Sequence, residues 1–413
     1  MLPIFGLIIY ANLVQGYTTF SPKCSTPNST VNYVSGPNTR GTLDILWSCL
    51  FTIVACTWTV LHLNVPEQRN GRDPGKIGDL KWKIRGFWST FKWMLGTALA
   101  PEILIAKNVA DLHDASKSCA EMEQFSNQNG EVWTKTHALF ANMGGFVIVS
   151  HQKDGKSLPG QEVTHHLRAH HIYSLRADGT LPKLPEVTAE QIWDKSKSDA
   201  FVRVIAIFQI LWICAQAILR ASQGLASSQL EVAVLAFACI AMVLYFLNWE
   251  KPQGVKSAII LLSYDEQLPD HIHRLLEREG DQGINRPISN IMSGEPSRAL
   301  DTWLFLLSST AFGGIHLIAW NFVFPTSIEQ TLWRVTSIYL TVSFPLSWGG
   351  GWALSEIPDN SLYDWIFVLI FGVPPVLYGL GRMFIIVEMF RCLLFLPPEA
   401  YIATMAANIP HVG

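Results

Sequence analysis

Apolar residues in this chain come in long blocks rather than in alternation. LDILWSCLFTIVACTWTVLHL (Leu43–Leu63), Phe201–Leu219, Leu230–Leu247, Thr302–Pro325, Thr331–Leu354 and Asp364 to Ile386 each run about 18 to 24 residues, the length a helix needs to cross a hydrocarbon core. The pattern predicts an all-α fold, a polytopic transmembrane helical bundle with six spans. Short loops at 220–229 and 326–330 make the adjoining spans antiparallel hairpins. A further run, WMLGTALAPEILIA (Trp93–Ala106), is shorter and is broken by Pro101 and Glu102. It reads as a re-entrant or short membrane segment, with a full crossing as the alternative.

The polar stretches orient these blocks. Behind the first span, Arg69, Arg72, Lys76, Lys81, Lys83, Arg85 and Lys92 face only three acids, so the positive-inside rule makes this flank cytosolic. Residues 107–200 are polar, with one apolar patch (HALFANMGGFVIVS) and a turn-rich stretch (HQKDGKSLPG), and predict a small irregular cytosolic layer. Residues 248–301, with Arg274, Arg278, Arg286 and Arg298, return to the cytosol. Residues 1–17 hold an apolar core of about ten residues and resemble a secretory signal peptide, although no basic segment precedes the core. Asn28 opens the glycosylation sequon Asn28-Ser29-Thr30, which is usable only in the lumen. The expected organisation is therefore a lumenal segment at 18–42; a span, basic loop and short membrane segment at 43–106; cytosolic 107–200; a transmembrane hairpin at 201–247; a cytosolic loop at 248–301; and a C-terminal transmembrane region of at least three spans at 302–413. The endoplasmic reticulum is the expected membrane.

Composition agrees. Of 413 residues, 49% are hydrophobic and 15% charged, against about 25% charged in soluble domains. A net charge of −3, with no basic tract interleaved with aromatics, argues against nucleic acid. Seven cysteines occur without CxxC or zinc-type spacing. Phosphate loops, dinucleotide fingerprints, serine-hydrolase elbows and HExxH are missing. The sequence thus predicts neither metal nor cofactor, and it shows no internal repeat of the kind many transporters carry. The partners expected are the lipid bilayer and an apolar small molecule.

Ionisable residues at membrane depth are costly and mark cavities or pairs. Pro101 suits the first position of a helix and would put Glu102 in its first turn. Asp111 and Asp114 read as a solvated helix face, Glu250 as an interfacial residue paired with Lys251, and Glu388 as an i, i+3 partner of Arg391. His165, His166, His170 and His171 form a cluster in which 166 and 170 have helical spacing; it reads as a surface patch. In AFGGIHLIAWNFVFP, His316 shares a helix face with Gly313 and Trp320, with Asn321 and Gly314 nearby. A partner helix could approach at the glycines and hydrogen-bond the imidazole.

CTWTVLHLNVP (56–66), LAPEIL (99–104), HALFANMGGF (137–146), WEKPQGV (249–255), GGIHLIAWNFVFP (313–325) and LPPEAY (396–401) together resemble a large family of filamentous-fungal polytopic membrane proteins, some encoded in secondary-metabolite gene clusters. The chain also looks compatible with the membrane terpene cyclases of the ascochlorin and ascofuranone type. That resemblance implies acid-initiated cyclisation of an epoxidised prenyl chain without a cofactor. Glu102 or Glu388 would be the acid, His316 and Asn321 polar positioners, and Trp320, Trp348, Trp352 and Arg334 pocket residues. A metabolite exporter and a non-catalytic scaffold for biosynthetic enzymes are the competing expectations.

Overall fold

The computed structural model describes residue 20 and residues 28–32, 38–68, 75–128, 132–151, 162–184, 186–196, 200–265, 267–277, 288–290, 299–354 and 361–404. The expected signal peptide at 1–17 lies outside the described residues, while Asn28 is described and exposed. In chain order the elements are α1 (Thr42–Thr59), α2 (Gly75–Leu99), α3 (Pro101–Met122), α4 (Lys135–Asn142), β1 (Phe146–His151), β2 (Glu162–Leu167), α5 (Ala169–Ala177) and α6 (Ala189–Asp194). They continue with α7 (Ala200–Ser222), α8 (Gln229–Leu247), β3 (Ile259–Tyr264), α9 (Asp270–Glu277), α10 (Ala299–His316), α11 (Ser327–Leu354), α12 (Ser361–Phe367) and α13 (Val373–Arg391).

Among the described residues five helical stretches are long and apolar enough to cross a membrane: Thr42–Thr59, Arg203–Ser222, Gln229–Leu247, Thr302–Asn321 and Trp365–Leu394. The sixth predicted span, Thr331–Leu354, is helical within α11 but is not among them. Its hydroxyls at Thr336, Ser337, Thr341 and Ser343 and its glycines at 349–351 dilute the apolar character. A π turn at Val368–Gly372 joins α12 to α13 just before Pro374 and Pro375, whose missing N–H groups suit such a bulge.

The chain divides into two compact units, each built from separated segments. The first comprises residues 1–56, 205–240 and 306–413, the second 57–204 and 241–305. The second unit therefore holds residues 107–200 and 248–301, the two stretches expected to be cytosolic, together.

In the second unit a three-stranded sheet of order β2-β1-β3 corrects the all-α expectation and the irregular layer. β1 pairs antiparallel with β2, Phe146 opposite Leu167, and parallel with β3, Phe146 opposite Ile259. The turn from α4 into β1 needs its two glycines. Gly144 has φ +81°, and a Cβ on Gly145 would lie 2.4 Å from the Phe140 ring. Phe140 packs edge-on against Phe146 at 5.0 Å between ring centres, in a core with Ile148, Leu167, Ile172 and Leu175. The basic flank is not a loop from Gly75 onward: α2 runs through it, and the run at 93–106 comprises the end of α2 and the start of α3.

The first unit is tied by charge as well as by packing. Arg40 and Glu231 form a two-pronged ion pair at 2.6 and 3.1 Å. Buried Arg220 donates to the carbonyls of Ala226, Glu399, Ala400 and Ile402. Gly313 meets α11 backbone to backbone: a Cβ there would lie 2.6 Å from the Thr341 nitrogen. The expected close approach thus occurs at Gly313, whereas Gly314 has open space around its Cβ position.

Candidate functional site

Ala100 stands outside the helix with φ −147°, and Pro101 opens α3. Its fixed φ and missing N–H suit that position. Glu102 falls in the first turn, as the sequence predicts, and is fully buried. Farther along α3 come Lys107, Asn108 and Asp111. Lys107 Nζ lies 2.7 Å from Asp111 Oδ2 at helical i, i+4 spacing. Lys251, which follows α8, approaches the same oxygen at 2.5 Å. Two buried ammonium groups thus share one carboxylate.

This arrangement overturns two readings. Asp111 lies on no solvated helix face, and Lys251 pairs with Asp111, whereas Glu250 is exposed. Burial pushes the Asp111 carboxyl up, but Lys251 and Lys107 outweigh it and hold its pKa at about 2. Burial also lowers the Lys251 ammonium; Asp111 opposes this, Lys107 adds to it, and the result is about 8. Glu102 and Asp111 are nine residues apart, two and a half turns, so helix geometry puts Glu102 on the side of α3 away from this cluster.

His62, just beyond α1, completes the polar interior. Its Nδ1 lies 3.0 Å from the Val60 carbonyl, which can only accept, so Nδ1 carries the proton. Nε2 is left to accept from Arg203 at 3.4 Å. Burial, Lys251, Arg203 and Lys107 lower its pKa to about 3 against the pull of Val60, so the ring is neutral at physiological pH. Gln253 accepts from Arg203 at 2.9 and 3.1 Å and donates to the carbonyls of Thr59 and Leu61 at 2.8 and 2.9 Å.

The histidine cluster is not a surface patch and not one helix. His165 and His166 lie on β2, His170 and His171 on α5. His166 Nδ1 donates to the Gly144 carbonyl at 2.8 Å, and both His166 and His171 are buried. Among the described residues no group of three His, Cys, Asp or Glu side chains could hold a metal ion.

In the first unit His316 is buried. Its Nδ1 bonds the Phe312 carbonyl at 2.8 Å within its own helix, not a partner helix. Trp333 donates to the His316 carbonyl at 3.1 Å. Arg334 binds the Trp320 carbonyl at 2.9 Å, lies over the Trp320 ring and reaches Asn321 at 3.5 Å. These three form one surface knot. Trp348 and Trp352 are 45% and 69% exposed. Asn321 does border a cavity of about 130 Å³ with Gln229, Phe322 and Val323, below the roughly 300–1,000 Å³ of ligand pockets. Glu388 is buried and accepts from the Cys392 thiol at 3.2 Å, whereas Arg391 pairs with Glu329 at 2.8 Å. The expected Glu388 to Arg391 pair is replaced by this contact.

The sequence missed Lys107, His62 and Arg203, and it gave Lys251 the wrong partner. The i, i+4 spacing of Lys107 and Asp111 was the one local signal; Lys251 reaches Asp111 across 140 positions. No curated protein and no solved structure matches the chain. Residues 12–277, more than half of the chain, match the model of a family of unknown function (DUF8562), and the chain belongs to that family.

Proposed function

We propose that the chain is a multi-pass membrane protein of the endoplasmic reticulum that cyclises an epoxidised prenyl chain by acid-initiated chemistry. Membrane embedding is supported by the faces its apolar helices turn outward: Phe208, Phe246, Leu307 and Leu380 are 67%, 78%, 67% and 62% exposed. So much aromatic and aliphatic surface calls for an apolar surrounding. A substrate of this kind partitions into the same phase.

The observation that carries the catalytic reading is the full burial of Glu102 in the first turn of α3. A buried carboxylic acid can protonate the epoxide oxygen as its C–O bond opens. The alkene then closes on the carbon cation, and a base removes a proton from the last cation. The product is an isomer of the substrate, so no co-reactant is consumed. Glu102, Lys107, Asp111 and Lys251 all fall in the stretch matched by the family model, whereas Glu388 and His316 lie beyond it. Membranes containing the wild-type chain, given an epoxidised farnesyl-phenol, should yield a product of unchanged mass and altered retention. Glu102→Gln should lower that yield by about 100-fold or more; full turnover by the variant removes Glu102 from the role.

A proton-coupled carrier is the second reading. It is favoured by Lys251, which at about 8 exchanges its proton near physiological pH beside the Asp111 carboxylate.

A further inference from the structure

α2 is turned inside out relative to a helix of a water-soluble protein. At 100° per residue, Ile77, Leu80, Ile84, Phe87, Trp88 and Leu95 fall within an arc of about 100°. That apolar stripe faces outward: Ile77 is 86% exposed, Ile84 and Phe87 58%. The opposite side, with Trp82, Trp93 and buried Thr97, is the less exposed one. Lys76 and Lys83 border the stripe on one edge, Lys81, Arg85 and Lys92 on the other, and Asp79 is the helix's one acid. Arg85 also lies 3.6 Å from Glu67 on the surface. Five basic residues rule out a span, yet water is a poor neighbour for this stripe.

Two observations point to what covers it. The basic edges are complementary to anionic phosphates, and a helix with such edges lies in the headgroup region with its apolar face in the acyl chains. In addition, the Phe87 ring lies 5.7 Å from that of Trp58 in the last turn of α1, so the stripe sits at the level where a candidate span ends. We propose that α2 is an in-plane anchor on an anionic lipid leaflet, with the stripe from Ile77 to Leu95 among the acyl chains and the flanking lysines and arginine on lipid phosphates. This inference rests on the membrane reading above.

The test places the photo-crosslinker p-benzoylphenylalanine at position 84 of the full chain in native membranes, with position 208, on an exposed face of α7, as the reference. Mass spectrometry of the irradiated protein should find phospholipid adducts at both positions, at least threefold richer in phosphatidylserine and phosphatidylinositol at 84. With Lys81→Gln, Lys83→Gln, Arg85→Gln and Lys92→Gln combined, that enrichment should fall to the level at 208. Lipid adducts at 208 joined by a crosslinked second copy, another protein or no adduct at 84 would overturn the anchor alone. Their absence at both positions would overturn the membrane reading with it.

Discussion

Lys251 Nζ and Asp111 Oδ2 lie 2.5 Å apart, and Lys107 shares the same carboxylate oxygen at 2.7 Å. One carboxylate between two buried ammonium groups makes Asp111 the member whose removal is worst. Asp111→Asn leaves both cations uncompensated and should destabilise the protein by about 3–5 kcal/mol. Lys251→Met leaves the Lys107 pair intact and should cost less. Combining Asp111→Asn with Lys251→Met should recover part of the loss, a coupling that thermal unfolding of the four proteins in detergent would reveal.

The same cluster sets a pH profile. Asp111 is lowered from 3.8 to about 2, so its contribution is present above about pH 4 and lost as pH falls through 2. His62 is lowered from 6.5 to about 3; its contribution is complete above 6.5 and lost on the way down to 3. Lys251 is lowered from 10.5 to about 8, so the unfolded chain holds more protons in that window and stability rises with pH across it. The melting temperature of wild type should rise between pH 8 and 10 relative to Lys251→Met. It should also fall between pH 6.5 and 4 more steeply than that of His62→Gln.

Gly313 and Gly314 form a matched pair. A Cβ on Gly313 would meet the Thr341 nitrogen at 2.6 Å and the Leu340 carbonyl carbon at 2.7 Å, whereas Gly314 has nothing within 4 Å. Gly313→Ala should force α10 from α11 at a cost of about 1–3 kcal/mol or more; Gly314→Ala should be neutral or slightly stabilising. Melting temperatures of the two variants give the answer.

Arg220 binds the carbonyls of Glu399, Ala400 and Ile402 with a rigid fork that lysine lacks. Arg220→Lys should free this segment, and limited proteolysis should cut near residues 398–404 at least several-fold faster than in wild type.

Much of the helical framework was legible in the sequence because apolar runs of about 20 residues leave few alternatives. The first turn of α3 was legible too, since Pro101 marks a helix start, as was the close approach at Gly313. The sheet was not. FVIVSH, EVTHHL and IILLSY are short runs that periodicity assigns poorly, and β1 meets β3 across more than 100 positions. Charge partners failed for a related reason. Local spacing offered Glu250 to Lys251 and Arg391 to Glu388, but the fold gave both cations distant acids, Asp111 and Glu329.

The proposed function turns on chemical change of an apolar substrate at Glu102. Purified protein in liposomes, given an epoxidised farnesyl-phenol on one side, can be read at once for isomerisation and for passage to the other side. Wild type should yield a cyclised isomer, and Glu102→Gln about 100-fold less. Unaltered substrate crossing faster than in protein-free liposomes, with no isomer formed, would contradict cyclisation and favour the carrier.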